Sequence, residues 1–178
     1  PLGKVDYTTD GLGLKTMDEY DDLGHSTKTV YPDVTYTSKS YADATSHSQV
    51  RDRSGRGEQY VYAPLGRQTT TFYLDQSGNK LSDGKGGYVH TDTKYDLDGR
   101  SISFTDRNGN TLVETYDSLG RVTFKLDALH NRTAYYYDLI GRATATTDAN
   151  GHMSTTDYDL DGRQIIKHFA DGTMQSTA

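Results

Sequence analysis

Tyr95-Asp-Leu-Asp-Gly-Arg100, Tyr116-Asp-Ser-Leu-Gly-Arg121, Tyr137-Asp-Leu-Ile-Gly-Arg142 and Tyr158-Asp-Leu-Asp-Gly-Arg163 are four copies of one hexapeptide. Their tyrosines stand at 95, 116, 137 and 158, a period of 21 without drift. Self-similarity at a fixed period of this length marks a repeat architecture. The rest of the chain is measured against that period.

Each repeat holds two turns. Asp117-Ser118-Leu119-Gly120 places Asp first and Gly fourth, the pattern of a type I turn followed by a left-handed residue. The Asp side chain accepts hydrogen bonds from the backbone just ahead of it, and Gly takes a positive φ without steric cost. Asp106-Arg107-Asn108-Gly109 repeats the pattern half a period earlier. Between the turns lie Thr111 to Tyr116 and Arg121 to Leu126, rich in β-branched and aromatic residues. The turn aspartates fall at 96, 106, 117, 127, 138, 148 and 159. Short strands with turns at this spacing predict an antiparallel β-hairpin meander. No apolar stripe of helical period survives a turn every ten residues.

Decayed copies extend the register backwards. Tyr62-Ala63-Pro64-Leu65-Gly66-Arg67 and Tyr20-Asp21-Asp22-Leu23-Gly24-His25 are two of them. Tyr41-Ala42-Asp43-Ala44-Thr45-Ser46 has lost its Gly and Arg, and Tyr31-Pro32-Asp33-Val34 has lost both signals of the intermediate turn. Gly3-Lys4 keeps the phase of Gly66-Arg67. The step from Tyr62 to Tyr95 is one repeat plus twelve residues, which marks an insertion at about 75–92 within a single repeat domain spanning 1–178. An insertion in a repeat maps to a loop on one face, often a binding face. Lys80, Asp83, Lys85, Tyr88 and His90 are its candidate contact residues. An idle hairpin extension is the simpler expectation, because loop length costs little. After Phe169-Ala170-Asp171-Gly172 the sequence reads as a polar tail.

Leu, Ile, Val and Phe make up 30 of the 178 residues, about 17%. That is below the roughly 20% at which disorder is suspected when charge is high. Net charge is only −6, however, with 15 Tyr and 25 Thr. The composition therefore predicts a thin sheet with little dry core. Ile102 and Phe104 stand one residue out of step with Val122 and Phe124, so the apolar phase does not assign an inner face. About sixteen strands at roughly 4.8 Å would make a wide sheet, and wide twisted sheets curl.

The function classes narrow by exclusion. There is no cysteine, hence no disulfide framework. Mild acidity argues against a nucleic-acid surface, and no apolar run is long enough to span a membrane. The six histidines are scattered without zinc-ligand spacing. Asp96-Leu97-Asp98-Gly99 and Asp159-Leu160-Asp161-Gly162 lack the ligand spacing of a calcium loop. No nucleophile, base and orienting residue can be assembled. The expectation is no enzyme, no cofactor and no metal.

The motif Tyr-Asp-x-x-Gly-Arg at a 21-residue period resembles the Rhs/YD-repeat family, which includes bacterial Rhs toxins, toxin-complex cocoon subunits and teneurins. The resemblance is specific from Tyr95 to Arg163 and weaker from Tyr20 to Arg67. It implies hairpins spiralling into a hollow shell that encloses a toxic C-terminal polypeptide, in a secreted or cell-surface protein. The family's Asp-Pro-x-Gly-Leu motif is absent; Asp10-Gly11-Leu12-Gly13-Leu14 lacks the Pro and falls on the turn register. Tyr95, Tyr116, Tyr137 and Tyr158 are expected to stack as a ladder. Gly99, Gly120, Gly141 and Gly162 would close the turns, with Arg100, Arg121, Arg142 and Arg163 a turn away. Expected partners are other parts of a longer chain, copies of this chain or an enclosed polypeptide. The alternatives are a glycan- or protein-binding adhesion module using the insertion, or a fibre joined through strand edges near Val5 to Thr9 and Gln164 to Phe169.

Overall fold

The computed structural model describes residues 3–41 and 47–177. Every regular element among them is a β-strand. In chain order they are β1 (Val5–Thr9), β2 (Lys15–Tyr20), β3 (Ser26–Val30), β4 (Tyr36–Tyr41), β5 (His47–Arg51), β6 (Gly57–Tyr62), β7 (Gln68–Leu74) and β8 (His90–Tyr95). There follow β9 (Ser101–Thr105), β10 (Thr111–Tyr116), β11 (Val122–Leu126), β12 (Arg132–Tyr137), β13 (Ala143–Thr147), β14 (Met153–Tyr158), β15 (Gln164–His168) and β16 (Met174–Ser176). Hydrogen-bonded neighbours follow chain order from β1 to β16, as the alternating turns predict. Within each hairpin the strands run antiparallel. Contacts divide the chain into two compact units. The first runs to Thr93 and takes in Asp106–Asn108; the second comprises Lys94–Thr105 and the chain from Gly109 onward.

The turns close as their residues dictate. Gly120 donates its N–H to the Asp117 carbonyl at 3.0 Å, and the Asp117 N–H donates to the Arg121 carbonyl at 2.9 Å. Asp117 Oδ1 accepts from the N–H groups of Leu119 and Arg121, each at 2.9 Å. Gly120 has φ +81°, the left-handed residue that builds a G1 bulge. The register slips accordingly between Thr115 and Tyr116, and again between Tyr136 and Tyr137 and between Asp157 and Tyr158.

Two places depart from the sequence reading. Tyr31-Pro32-Asp33-Val34 forms the turn despite lacking both signals: Val34 N–H bonds the Tyr31 carbonyl at 2.9 Å, with Val34 itself at φ +61°. Asp33 supplies the carboxylate that the first position lost, its Oδ1 accepting from the Thr35 N–H at 3.1 Å. Second, the polar tail is a strand. β16 pairs with β15 through Ile166↔Ser176 and His168↔Met174, so Gln164 to Phe169 is not an edge; Val5 to Thr9 is. Five residues of the decayed copy at Tyr41, Ala42 to Ser46, lie outside the described residues, as do Pro1 and Leu2.

The mixed apolar phase has a plain geometric meaning. Phe104 stands opposite Leu112, and Val113 opposite Leu126. Successive residues point to opposite faces, so apolar side chains lie on both. Charged pairs share those faces: Glu114 stands opposite Lys125 and bonds its Nζ at 2.6 Å. Among the described residues only Leu74, Ala134 and Ala145 are buried hydrophobics. The stability of this sheet therefore rests on its ladder, its turns and the contacts that tie turn to turn.

Candidate functional site

The recurrent chemistry of the second unit is a relay between repeats. Arg121 Nε bonds Asp117 Oδ2 of its own turn at 2.6 Å. Its Nη1 donates to the carbonyl of Asp138, one repeat on, at 3.2 Å. Its guanidinium lies 4.6 Å from the centre of the Tyr137 ring, and Tyr137 Oη donates to the Val122 carbonyl at 2.9 Å. One arginine thus holds its own turn, the next turn and the next tyrosine.

The same set recurs on either side. Arg100 reaches Asp96 at 2.6 Å, the Asp117 carbonyl at 3.3 Å and the Tyr116 ring at 5.1 Å. Arg142 reaches Asp138 at 2.6 Å, the Asp159 carbonyl at 3.3 Å and the Tyr158 ring at 4.8 Å. Tyr116 and Tyr158 donate their hydroxyls to the carbonyls of Ser101 and Ala143. Arg163 keeps its bond to Asp159 at 2.7 Å, but no ring among the described residues lies over it, and its side chain is 74% exposed, against 26% for Arg121.

The predicted tyrosine ladder is therefore a ladder of alternating ring and guanidinium. Rings on every second strand lie about 9.6 Å apart, too far to stack, and the arginines fill the interval. Tyr95 holds the equivalent place at the end of β8, half-buried. Gly99, Gly141 and Gly162 have φ of +86°, +95° and +83°, as the turn assignment requires.

In the first unit Arg67 keeps the arginine position of its copy, while Lys4 and His25 take it in two others. Lys4 Nζ lies 5.6 Å from the Tyr20 ring. His25 stacks on Tyr41 with ring centres 4.6 Å apart, bonds Asp21 at 2.8 Å, and Tyr41 Oη donates to the Ser26 carbonyl. Lys4 and His25 each stand sixteen residues before the ring they meet, as Arg121 does before Tyr137. The in-phase Gly3-Lys4 thus takes part in the repeat contact.

These contacts favour ionised turn carboxylates. Backbone hydrogen bonds from Arg121 hold the Asp117 carboxyl below the usual range, and the Arg163 side chain does so for Asp159. At Asp96 and Asp138 partial burial works the other way, and the arginine hydrogen bonds outweigh it.

The insertion is pinned to the sheet by backbone hydrogen bonds. Leu81 N–H donates to the Tyr73 carbonyl and Val89 N–H to the Leu81 carbonyl, each at 2.8 Å. Leu74 bridges to Lys80, and Ser82 to Tyr88. Asp83 caps the tip, accepting from the N–H groups of Lys85 and Gly87. Lys80 Nζ sits 3.5 Å from the Phe72 ring centre and 5.6 Å from that of Tyr88. His90 bonds Asp92 at 2.9 Å and lies against Phe72. Of the predicted contact residues, Lys80, Asp83 and His90 are engaged internally, Tyr88 meets Phe72 edge-on while staying half exposed, and Lys85 is exposed. A cleft of about 320 Å³ beside the insertion, also in the first unit, is lined by Val50, Leu74, Leu81 and Tyr73. Arg107, whose guanidinium lies 3.8 Å from the Tyr73 ring centre, walls it. Sequence reasoning missed this cleft, because it joins Val50 to Tyr73, Leu74, Leu81 and Arg107, residues 23 and more positions away, that only the strand order brings together.

No group of three or more His, Cys, Asp or Glu residues among the described residues is placed to hold a metal ion. Among the described residues no helix is long and apolar enough to cross a membrane. No protein-family model matches the chain. No curated protein matches it. Among solved structures, the chain is similar to TcdB2-TccC3 without its hypervariable C-terminal region, at 13% identity and a TM-score of 0.44 over 99% of this chain. It is similar to TcdB2-TccC3-Cdc42 at 13% identity and a TM-score of 0.43. A mutant of the Photorhabdus luminescens Tc holotoxin pore follows at 12% identity and a TM-score of 0.41 over 94% of this chain. The chain spans 13% of the length of each of these three.

Proposed function

We propose that this chain is a wall segment of a secreted or surface-displayed Rhs/YD-repeat protein, a container for a toxic C-terminal polypeptide, with no catalytic chemistry of its own. The observation that carries the reading is where the recurrent polar residues go. Arg100, Arg121 and Arg142, with the turn aspartate each one holds and the tyrosine one repeat on, are consumed in tying one hairpin to the next. A residue set kept for binding would instead converge on a shared open cavity. A wall needs lateral continuity without a thick core, and the relay supplies it at every second turn. The Tyr-Asp-x-x-Gly-Arg motif adds the family resemblance and with it the container role.

The test uses the natural polypeptide that carries this chain, with whatever follows it. Limited proteolysis should leave a downstream polypeptide uncut. It should become cleavable when Arg100, Arg121 and Arg142 are together changed to Ala. Cleavage of the downstream polypeptide at the same rate with the relay intact contradicts the container reading.

A further inference from the structure

The turns that carry the relay share a second feature, which the relay does not use. In the second unit their tips are Leu97, Leu119, Leu139 with Ile140, and Leu160, each 72% exposed or more. Type I turn tips favour Pro, Asp, Asn, Ser and Gly for their backbone chemistry. Nothing in the turn calls for leucine, yet all four turns present one. In a chain-order meander, alternate turns lie at the same end of the strands. The four tips therefore form a row, two strands apart and so about 9.6 Å from one to the next. The opposite end of this unit differs: of the turns at Asp127, Asp148 and Phe169, only the first carries a leucine, Leu129.

The charges around the row are already paired. Asp98 bonds Arg100 Nη2 at 2.8 Å, and Asp161 bonds Arg163 Nη2 at 2.9 Å. The first aspartate of each turn is held by the arginine that closes it. What remains unsatisfied at each tip is apolar surface. Scattered exposed leucines are ordinary; an evenly spaced row at one end of a sheet is not scattered.

The spacing selects the occupant. An irregular surface meets one or two such knobs, whereas a surface of the same period meets all of them. The repeat sheet itself has that period. We propose that the Leu97, Leu119, Leu139 and Leu160 tips are a self-association surface whose occupant is the same tip row of a second copy of this chain. Two rows related by a two-fold axis run antiparallel, and the tips of one enter the gaps of the other. Such a contact is isologous and closes as a dimer. It uses turn tips and leaves the strand edges untouched, and it rests on the strand order alone, apart from the container reading.

The experiment is sedimentation of the wild-type chain and of L97S/L119S/L139S/L160S over a concentration series, with phosphatidylcholine vesicles as a second arm. Serine suits a turn tip, and far-UV circular dichroism checks that the sheet is kept. The wild type should dimerise, and the variant should dimerise at least about a hundredfold more weakly, as expected for removing several buried leucines. Three results overturn the proposal: a monomeric wild type, equal association of both proteins, or vesicle binding that tracks the leucines without self-association.

Discussion

Arg121 pairs with Tyr137, one repeat ahead, while Tyr116 of its own motif lies under Arg100. The guanidinium covers one face of the ring, and the ring's hydroxyl reaches back to Val122, the residue after the arginine. The link is closed at both ends, so neighbouring hairpins cannot slide without breaking both contacts. Lysine lacks the planar fork needed to reach Asp117, Asp138 and the ring together. Arg121→Lys should therefore lose nearly as much stability as Arg121→Ala in urea unfolding. Full rescue by lysine would show that charge alone matters. Tyr137→Phe, which keeps the ring and loses one hydrogen bond, should cost about 1 kcal/mol.

The left-handed turn positions give paired outcomes of opposite sign. Gly120 at φ +81° has only Arg100 Nη1 near where a Cβ would stand, at 3.6 Å. The cost of a substitution there is backbone strain, so Gly120→Val should destabilise by more than about 1 kcal/mol. Val34 and His130 already bear that strain at φ +61° and +64°. Val34→Gly and His130→Gly should raise the unfolding midpoint, the former more, since β-branched residues fit this region worst. Equal effects at Gly120 and His130 would contradict the turn assignment.

Stability should fall in acid. The carboxyls of Asp96, Asp117, Asp138 and Asp159 are held below their usual range in the folded chain. A depressed folded-state pKa gives stability that is complete above the unfolded value, about 3.9. It is lost as pH falls through the folded value. The urea midpoint should be lower at pH 2.5 than at pH 5. An unchanged midpoint would mean that the turn carboxylates contribute nothing as charges.

The insertion should loosen when its cation is removed. Lys80→Ala takes the ammonium from between Phe72 and Tyr88. Hydrogen exchange at the Leu81 and Val89 amides should accelerate, with β12 and β13 unaffected. Unchanged protection at both amides would show that the backbone bonds hold the insertion unaided.

Period, turn chemistry and strand order were legible because they are local. A 21-residue ruler, an Asp at the head of each turn and a Gly at its foot determine a meander. The direction of the Arg–Tyr pairing was not legible. Arg121 is five residues from Tyr116 and sixteen from Tyr137, and only the pairing of the strands between brings the distant ring nearer. β16 was missed because Met174, Gln175 and Ser176 carry no β-branched residue and gain their strand from β15. The Val34 turn was missed because Asp33 caps it from the third position instead of the first. No inner face could be read because the apolar residues do lie on both faces.

Arg100, Arg121 and Arg142 each clamp the following repeat. The decisive measurement is a double-mutant cycle on Arg121→Ala and Tyr137→Ala, read by urea unfolding beside the cycle for Arg121→Ala and Tyr116→Ala. The Arg121–Tyr137 cycle should give a favourable coupling of about 0.5–1 kcal/mol or more, and the Arg121–Tyr116 cycle a clearly smaller one. Coupling to Tyr116 that equals or exceeds coupling to Tyr137 would contradict the relay.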